Sequence, residues 1–288
     1  MRLATIQTSA GPRAAVLQDN HYVDLHSADP TLPTSVRALI EAGGPALIAA
    51  EKAVDRNARA VRYEASAIKV LPPIPDPPKI VCLGLNYRDH ALESGAPIPK
   101  EPILFSKYAT ALIGPDEAIA IPPVSREVDY EAELVIVVGK RGRNLKAAEA
   151  MSYVAGYTIG HDVSARDWQL KKEGKQWMVG KTFDTFAPIG PLLVTADELT
   201  DPHRLPIRLR LNGQIMQDSN TSQMIFNVGA VLEYISQVFT IEPGDLIFTG
   251  TPPGVGFARK PPVYLKAGDV VEVEIERLGM LRNSVVQG

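Results

Sequence analysis

The stretch Asp129-Tyr130-Glu131-Ala132-Glu133-Leu134-Val135-Ile136-Val137-Val138 decides how this chain folds. Residues 134–138 are aliphatic without a break, so both faces of the segment are apolar, as in a strand buried inside a sheet. Side chains two apart on a strand share a face, so Glu131 and Glu133 point the same way, their bases about 6–7 Å apart by the strand rise. Two like charges at the mouth of a buried strand are costly without a counter-ion. A divalent cation supplies one, and all-oxygen donors suit Mg2+, Mn2+ or Ca2+ better than zinc. Two solvated carboxylates at an exposed strand end fit the same letters.

Working outward, the segments Ile80–Leu85, Tyr153–Gly160, Leu192–Thr195, Ile207–Leu211, Leu246–Thr249 and Val270–Glu276 also read as strands. Asn212-Gly213 is a hairpin signal. Ile225, Val228, Leu232, Ile235 and Phe239 fall at helical spacing and predict a helix over Met224–Phe239. Pro72, Pro73, Pro75, Pro77 and Pro78 can continue neither a helix nor a central strand, so 72–79 is expected to be an extended linker. It divides a small α+β unit, 1–71, from a β-rich unit, 80–288. In the first unit Asp19-Asn20 predicts a tight turn, and Ser35 caps a short helix that Gly43-Gly44 ends. A second helix is expected over Ala46–Asn57. This unit carries no chemistry of its own and reads as a support or dimerisation element.

Composition removes whole classes of function. The 288 residues are 45% hydrophobic and 22% charged, ordinary for a globular protein. Thirty Lys+Arg against 33 Asp+Glu leave a net charge of −3, which disfavours a nucleic-acid binder. Cys82 is the sole cysteine, so an intrachain disulfide and a paired-cysteine zinc site are both excluded. No apolar run reaches the ~18 residues of a membrane span. Met1–Gln7 turns polar too early for a signal peptide. The compartment expected from these signs is a reducing cytoplasm.

Four further constellations carry chemistry. Asp162, at the end of the apolar run Tyr153–Gly160, offers a third carboxylate; capping the following helix is its plainer use. Arg166 and Gln169, three apart, share a helix face, and a guanidinium suits a carboxylate ligand as well as a surface ion pair. In Asn86-Tyr87-Arg88-Asp89-His90-Ala91-Leu92-Glu93-Ser94-Gly95, Asp89 is expected to cap a short helix on which His90 and Glu93 share a face. A carboxylate fixes the imidazole tautomer and raises its basicity, as a general base requires; an incidental surface pair has the same spacing. Lys181 beside an acidic site would hold developing negative charge, unless it is simply exposed. The Thr251 hydroxyl and the Gly250 amide, in a glycine- and proline-rich loop, would bind a small carboxylate or merely turn the chain.

Taken in order, Gly-Leu-Asn-Tyr-Arg-Asp-His (84–90), Tyr-Glu-Ala-Glu-Leu (130–134), Gly-Lys-Thr-Phe-Asp-Thr-Phe-Ala-Pro-Ile-Gly-Pro (180–191) and Thr-Gly-Thr-Pro-Pro-Gly-Val-Gly (249–256) resemble the fumarylacetoacetate hydrolase family, from about Ile80 onward. The resemblance implies an α+β fold, a β-rich mixed roll preceded by a small N-terminal domain, usually in homodimers. It implies Mg2+, Mn2+ or Ca2+ held by Glu131, Glu133 and Asp162. It implies a His90–Glu93 dyad and a catalytic Lys181, with Arg166, Gln169, Thr251 and Gly250 at the substrate. Founding members carry a fourth acidic ligand where this chain has Asn86-Tyr87. The implied substrate is a small 2-oxo acid or 1,3-dicarbonyl, with neither nucleic acid nor membrane as partner. C–C hydrolysis of an acylpyruvate leads the expectations. Oxaloacetate decarboxylation, keto–enol tautomerisation and hydroxymuconate-type isomerisation are alternatives on the same residues. A metal-dependent binding protein without turnover is the rival from another class.

Overall fold

The computed structural model describes residues 1–288. Strand Ala132–Val138 is buried along its whole length and lies inside a twelve-stranded mixed sheet. One edge pairs antiparallel with Val154–His161, which pairs in turn with Ala187–Thr195. The other pairs antiparallel with Leu246–Phe248, which runs parallel to Ile80–Gly84. A buried neighbour on each edge is what the two-sided apolar pattern demands. Every strand expected from sequence is present, with ends displaced by a few residues.

The sheet does not stop at the second unit. Arg2–Thr8 pairs with Ala187–Thr195 and leads on to Gly11–Gln18, His21–Asp24 and Arg62–Glu64. One apolar core joins Leu3, Leu25 and Leu39 to Cys82, Val135 and Phe248. Residues 72–79 carry no helix or strand, yet Ile74 among them is fully buried in that core.

A five-stranded sheet, ordered Gln214–Asn220, Pro206–Leu211, Val270–Ile275, Gly279–Gln287 and Ile119–Ile121, covers the opposite face. Its strands alternate buried and partly exposed residues, so only one face is covered. Leu134, Ile136 and Val138 belong to the core they share with Leu209 and Val273. Val135 and Val137 belong to the other core. By the two-residue period, Glu131 and Glu133 continue the face of Val135.

Both hairpin turns form with two consecutive positive φ angles, Asp19 48° and Asn20 62°, then Asn212 51° and Gly213 80°, which suits the right-handed twist of the flanking strands. Ser35 caps the helix Val36–Glu41 through the Ala38 N–H. Three expectations need correction. The long helix begins at Val228, not Met224, because the Asn227 side chain accepts from the Ala230 N–H and caps it there. The second N-terminal helix begins two residues early, at Gly44, with Pro45 in its first turn, where a missing N–H costs nothing. Asp89 is not the N-cap: the helix is Arg88–Ser94 with Tyr87 at its N-cap, and Asp89, within the first turn, accepts the His90 N–H at 3.0 Å.

Gly156 marks the tightest approach in the sheet. A Cβ there would stand 2.1 Å from the Val194 carbonyl oxygen. Gly156→Ala is expected to lower stability by about 1–3 kcal/mol, the usual range for overpacking. Denaturant titration checks this, and an unshifted midpoint would contradict the packing.

Candidate active site

Glu131 directly precedes the central strand, and Asp162 directly follows the strand beside it. The Asp162 N–H donates to the Glu131 carbonyl at 2.9 Å, locking the two backbones together. Carboxylate oxygens of Glu131, Glu133 and Asp162 all lie within 4.8 Å of one another, and all three residues are buried. The Lys181 ammonium donates to Glu131 Oε2 at 2.7 Å and to Asp162 Oδ2 at 2.8 Å. Arg166 Nη2 donates to Glu131 Oε1 at 2.6 Å.

The electrostatics separate the two glutamates. Burial opposes ionisation of Glu131, but Lys181 and Arg166 outweigh it and hold the carboxyl at about 2. Burial, with the charges of Asp162 and Glu131 added, pushes Glu133 well above the usual carboxylate range. Glu133 has one hydrogen bond, from the Gly250 N–H to Oε2 at 2.7 Å, and its Oε1 is buried without a partner. Burial disfavours the Lys181 ammonium, yet Asp162 and Glu131 raise it above the ordinary lysine value. The same carboxylate attraction keeps Arg166 firmly charged, with Glu131 and Asp129 outweighing its burial.

Two buried residues that the sequence reading passed over complete the cluster. Lys107 ends the strand Ile103–Lys107 and pairs with Asp162 Oδ1 at 2.7 Å. It also donates to the carbonyls of Val163, Phe186 and Lys181. Burial lowers its ammonium, partly offset by Asp162. Asp129 pairs with Arg166 Nε at 2.8 Å. The cluster then holds carboxylates at 129, 131, 133 and 162 against cations at 107, 166 and 181: four negative groups and three positive. A proton on Glu133 neutralises it, whereas a divalent cation that leaves Glu133 ionised turns the surplus into one positive charge. The unpartnered Glu133 oxygen and the all-carboxylate donors fit a hard divalent ion.

His90 and Glu93 lie on the helix Arg88–Ser94, which Gly95 ends in the left-handed conformation. His90 Nδ1 is 3.0 Å from Glu93 Oε2, which places the Nδ1 proton toward the carboxylate and leaves Nε2 as the basic nitrogen. The Glu93 Oε1 accepts the Gly254 N–H at 2.8 Å. Asp89 serves as a tether, accepting from Ser219 Oγ at 2.5 Å, and Arg88 Nη1 donates to the Met224 carbonyl at 2.6 Å.

A cavity of about 200 Å³ opens between these parts, lined among others by His90, Glu131, Arg166, Gln169, Lys181 and Thr251. Leu83, Leu85, Phe105, Trp177 and Phe257 form its apolar wall. Trp177 packs where Gly84 has no side chain: a Cβ there would stand 2.2 Å from the indole. Thr251 Oγ1 accepts from Gln217 Nε2 at 2.8 Å. Arg166 reaches Gln169 Oε1 through Nη1 at 2.8 Å, so the two share a face as their spacing requires. Gly250, expected at the substrate, does not line the cavity, since its amide is given to Glu133. Of the unforeseen residues, Asp129 lay inside the decisive stretch, whereas Lys107 ends a strand that is exposed or half-buried up to Ser106, so no burial pattern marked it.

Residues 79–286 match the family described as fumarylacetoacetate (FAA) hydrolase C-terminal. A mitochondrial oxaloacetate tautomerase of Xenopus laevis is 52% identical over 99% of this chain and 90% of its own length. The structure of fumarylacetoacetate hydrolase from the psychrophile Exiguobacterium antarcticum superposes with a TM-score of 0.86 at 34% identity, covering 100% of both chains. That of 5-carboxymethyl-2-hydroxymuconate delta-isomerase from Mycobacterium smegmatis superposes at 0.79 and 34%, again over 100% of both.

Proposed function

Because the chain belongs to the fumarylacetoacetate hydrolase family, we propose that it is a divalent-metal-dependent keto–enol tautomerase of oxaloacetate. The observation that carries this reading is His90, paired with Glu93, lining a small cavity that also holds Lys181 and Arg166. The 52% identity to a protein named as an oxaloacetate tautomerase supports it, and moves tautomerisation ahead of the hydrolysis that led the sequence expectations. No helix is long and apolar enough to cross a membrane. The Xenopus relative is named as mitochondrial, whereas the sequence signs pointed to cytoplasm.

Glu131, Glu133 and Asp162 would hold Mg2+, Mn2+ or Ca2+. Lewis-acid polarisation of the 2-oxo group is the chemistry such an ion supplies. His90, oriented by Glu93, takes a proton from C3 of the keto acid, and the resulting imidazolium delivers one to the C2 oxygen to give the enol; the reverse direction runs the same two transfers backward. Lys181 stabilises the negative charge that develops on the former carbonyl oxygen. Arg166, Gln169 and Thr251 orient the carboxylate ends. No water is consumed, and a cavity of about 200 Å³ suits a four-carbon diacid.

Enol-to-keto exchange of oxaloacetate, followed by ultraviolet absorbance and NMR, tests the reading. Exchange is expected to exceed the spontaneous rate with Mg2+ or Mn2+ and to fall to it with excess EDTA. Metal-independent exchange would remove the cation from the mechanism, and no acceleration would remove the reading. Hydrolysis is the second reading, favoured by the structural match to a fumarylacetoacetate hydrolase. It predicts acetate and pyruvate from acetylpyruvate under the same conditions. Ligand-induced stabilisation without any product would favour the binding-protein alternative. The homodimer belongs to the same proposal. Exposed Leu92, Ile98 and Tyr108 offer apolar surface for it, and light scattering measures the mass.

A further inference from the structure

Asp129 is fully buried, and its carboxylate is surrounded by donors from three parts of the chain. Oδ2 accepts Arg166 Nε at 2.8 Å and the Phe257 N–H at 3.0 Å. Oδ1 accepts the Gly256 N–H at 2.7 Å and its neighbour Tyr130's N–H at 2.8 Å. The chain comes this close because residue 256 is glycine: a Cβ there would stand 2.5 Å from Asp129 Oδ1. Two residues before Gly256 lies Gly254, whose N–H holds Glu93 Oε1 at 2.8 Å. Gly254 has a φ of +101° and room for no side chain, since a Cβ would stand 2.0 Å from the Met216 carbonyl oxygen. Arg259 fixes the same turn from the other side, its Nε donating to the Gly254 carbonyl and to Tyr130 Oη, both at 3.1 Å.

We propose that Asp129 is a positioning residue for the dyad: by clamping the backbone at Gly256 and Phe257 it sets the Gly254 N–H that orients Glu93, and through Glu93 the imidazole of His90. The inference rests on the dyad acting as the proton carrier. Neither the three carboxylates of the candidate metal site nor the substrate needs to touch Asp129 for it to act.

Asp129→Asn tests this with little change of shape. An amide presents one oxygen and one NH2 to sites that now supply four donors, so whichever way it turns, one pair of donors faces another donor. Glu93→Gln should lower kcat about 100-fold, within the usual worth of general acid–base catalysis. Asp129→Asn should lower kcat about 10-fold with little change in KM. In the Glu93→Gln background Asp129→Asn should cost less than about 3-fold more, because the group it positions is already disabled. Arg259→Met, which loosens the same turn without touching Asp129, should lower kcat in the same direction and be equally silent in that background. Rates that multiply in the double variants, or an unchanged kcat in Arg259→Met, would overturn the proposal. Should Asp129→Asn fail to fold, the Arg259→Met cycle alone decides. If Glu93→Gln itself retains the wild-type rate, the dyad reading fails, a result distinct from additivity with an impaired Glu93 variant.

Discussion

Replacing His90 by alanine is expected to lower the catalysed rate of oxaloacetate enol–keto exchange by about 100- to 10,000-fold while leaving Mn2+ affinity unchanged. The first half follows from the worth of a positioned acid–base group. His90 is the only imidazole on the cavity, and its Nδ1 is committed to Glu93. The second half follows from separation. Lys181, Arg166, Gly250 and Lys107 make the hydrogen bonds and ion pairs of the three clustered carboxylates, and His90 makes none of them. Deleting the ring therefore removes the base without unpairing a buried charge. Stopped-flow absorbance with the spontaneous rate subtracted, paired with Mn2+ titration by electron paramagnetic resonance, separates the two effects. A wild-type rate in His90→Ala would sink the base assignment. Loss of Mn2+ binding would mean that the imidazole supports the cluster instead.

The period-2 and apolar-run signals sufficed for the central strands because burial on both faces leaves few other options. They failed where one side chain outcompeted the periodicity. Met224 and Ile225 fit the helical spacing, but the Asn227 side chain accepts the Ala230 N–H and starts the helix after them. The convergence of Glu131, Glu133 and Asp162 was legible because the two glutamates share a strand face and Asp162 ends an apolar run. The pairings of Lys107 and Asp129 were not legible. Their distant partners lie 55–79 and 37–128 positions away, and only the folded topology brings them within reach. For Arg166 and Gly250 the donor groups were legible but their partners were not. A guanidinium and an amide able to hold a substrate carboxylate are, in the fold, already holding Glu131, Asp129 and Glu133.

That distribution of partners makes two neighbouring glutamates behave in opposite ways. Glu131→Gln removes the charge that faces both Lys181 and Arg166. Breaking a buried pair from one side costs about 3–5 kcal/mol, which for a chain of this size lowers the melting temperature by ~10 °C. Glu133→Gln removes a carboxyl with one protein hydrogen bond and an unpartnered oxygen. It should abolish cation binding and catalysis, yet leave the metal-free protein as stable as the parent at neutral pH, or more so. The signs follow from the shifts. Glu131, held near 2 against an ordinary value of 4.5, stabilises the fold above about pH 4.5. That stabilisation disappears as pH falls toward 2. Glu133 is raised above 4.5, so the metal-free fold prefers it protonated. Its penalty grows as pH climbs from about 4.5 to the raised value and is constant beyond. A cation must displace that proton, so Mg2+ or Mn2+ affinity should rise with pH over the same window, with about one proton released per ion bound. Calorimetric titration in buffers of different ionisation enthalpy counts the proton, and melting curves with EDTA rank the variants. If Glu133→Gln were the less stable of the two, or if the ion bound without releasing a proton, the charge balance assigned to this cluster would be wrong.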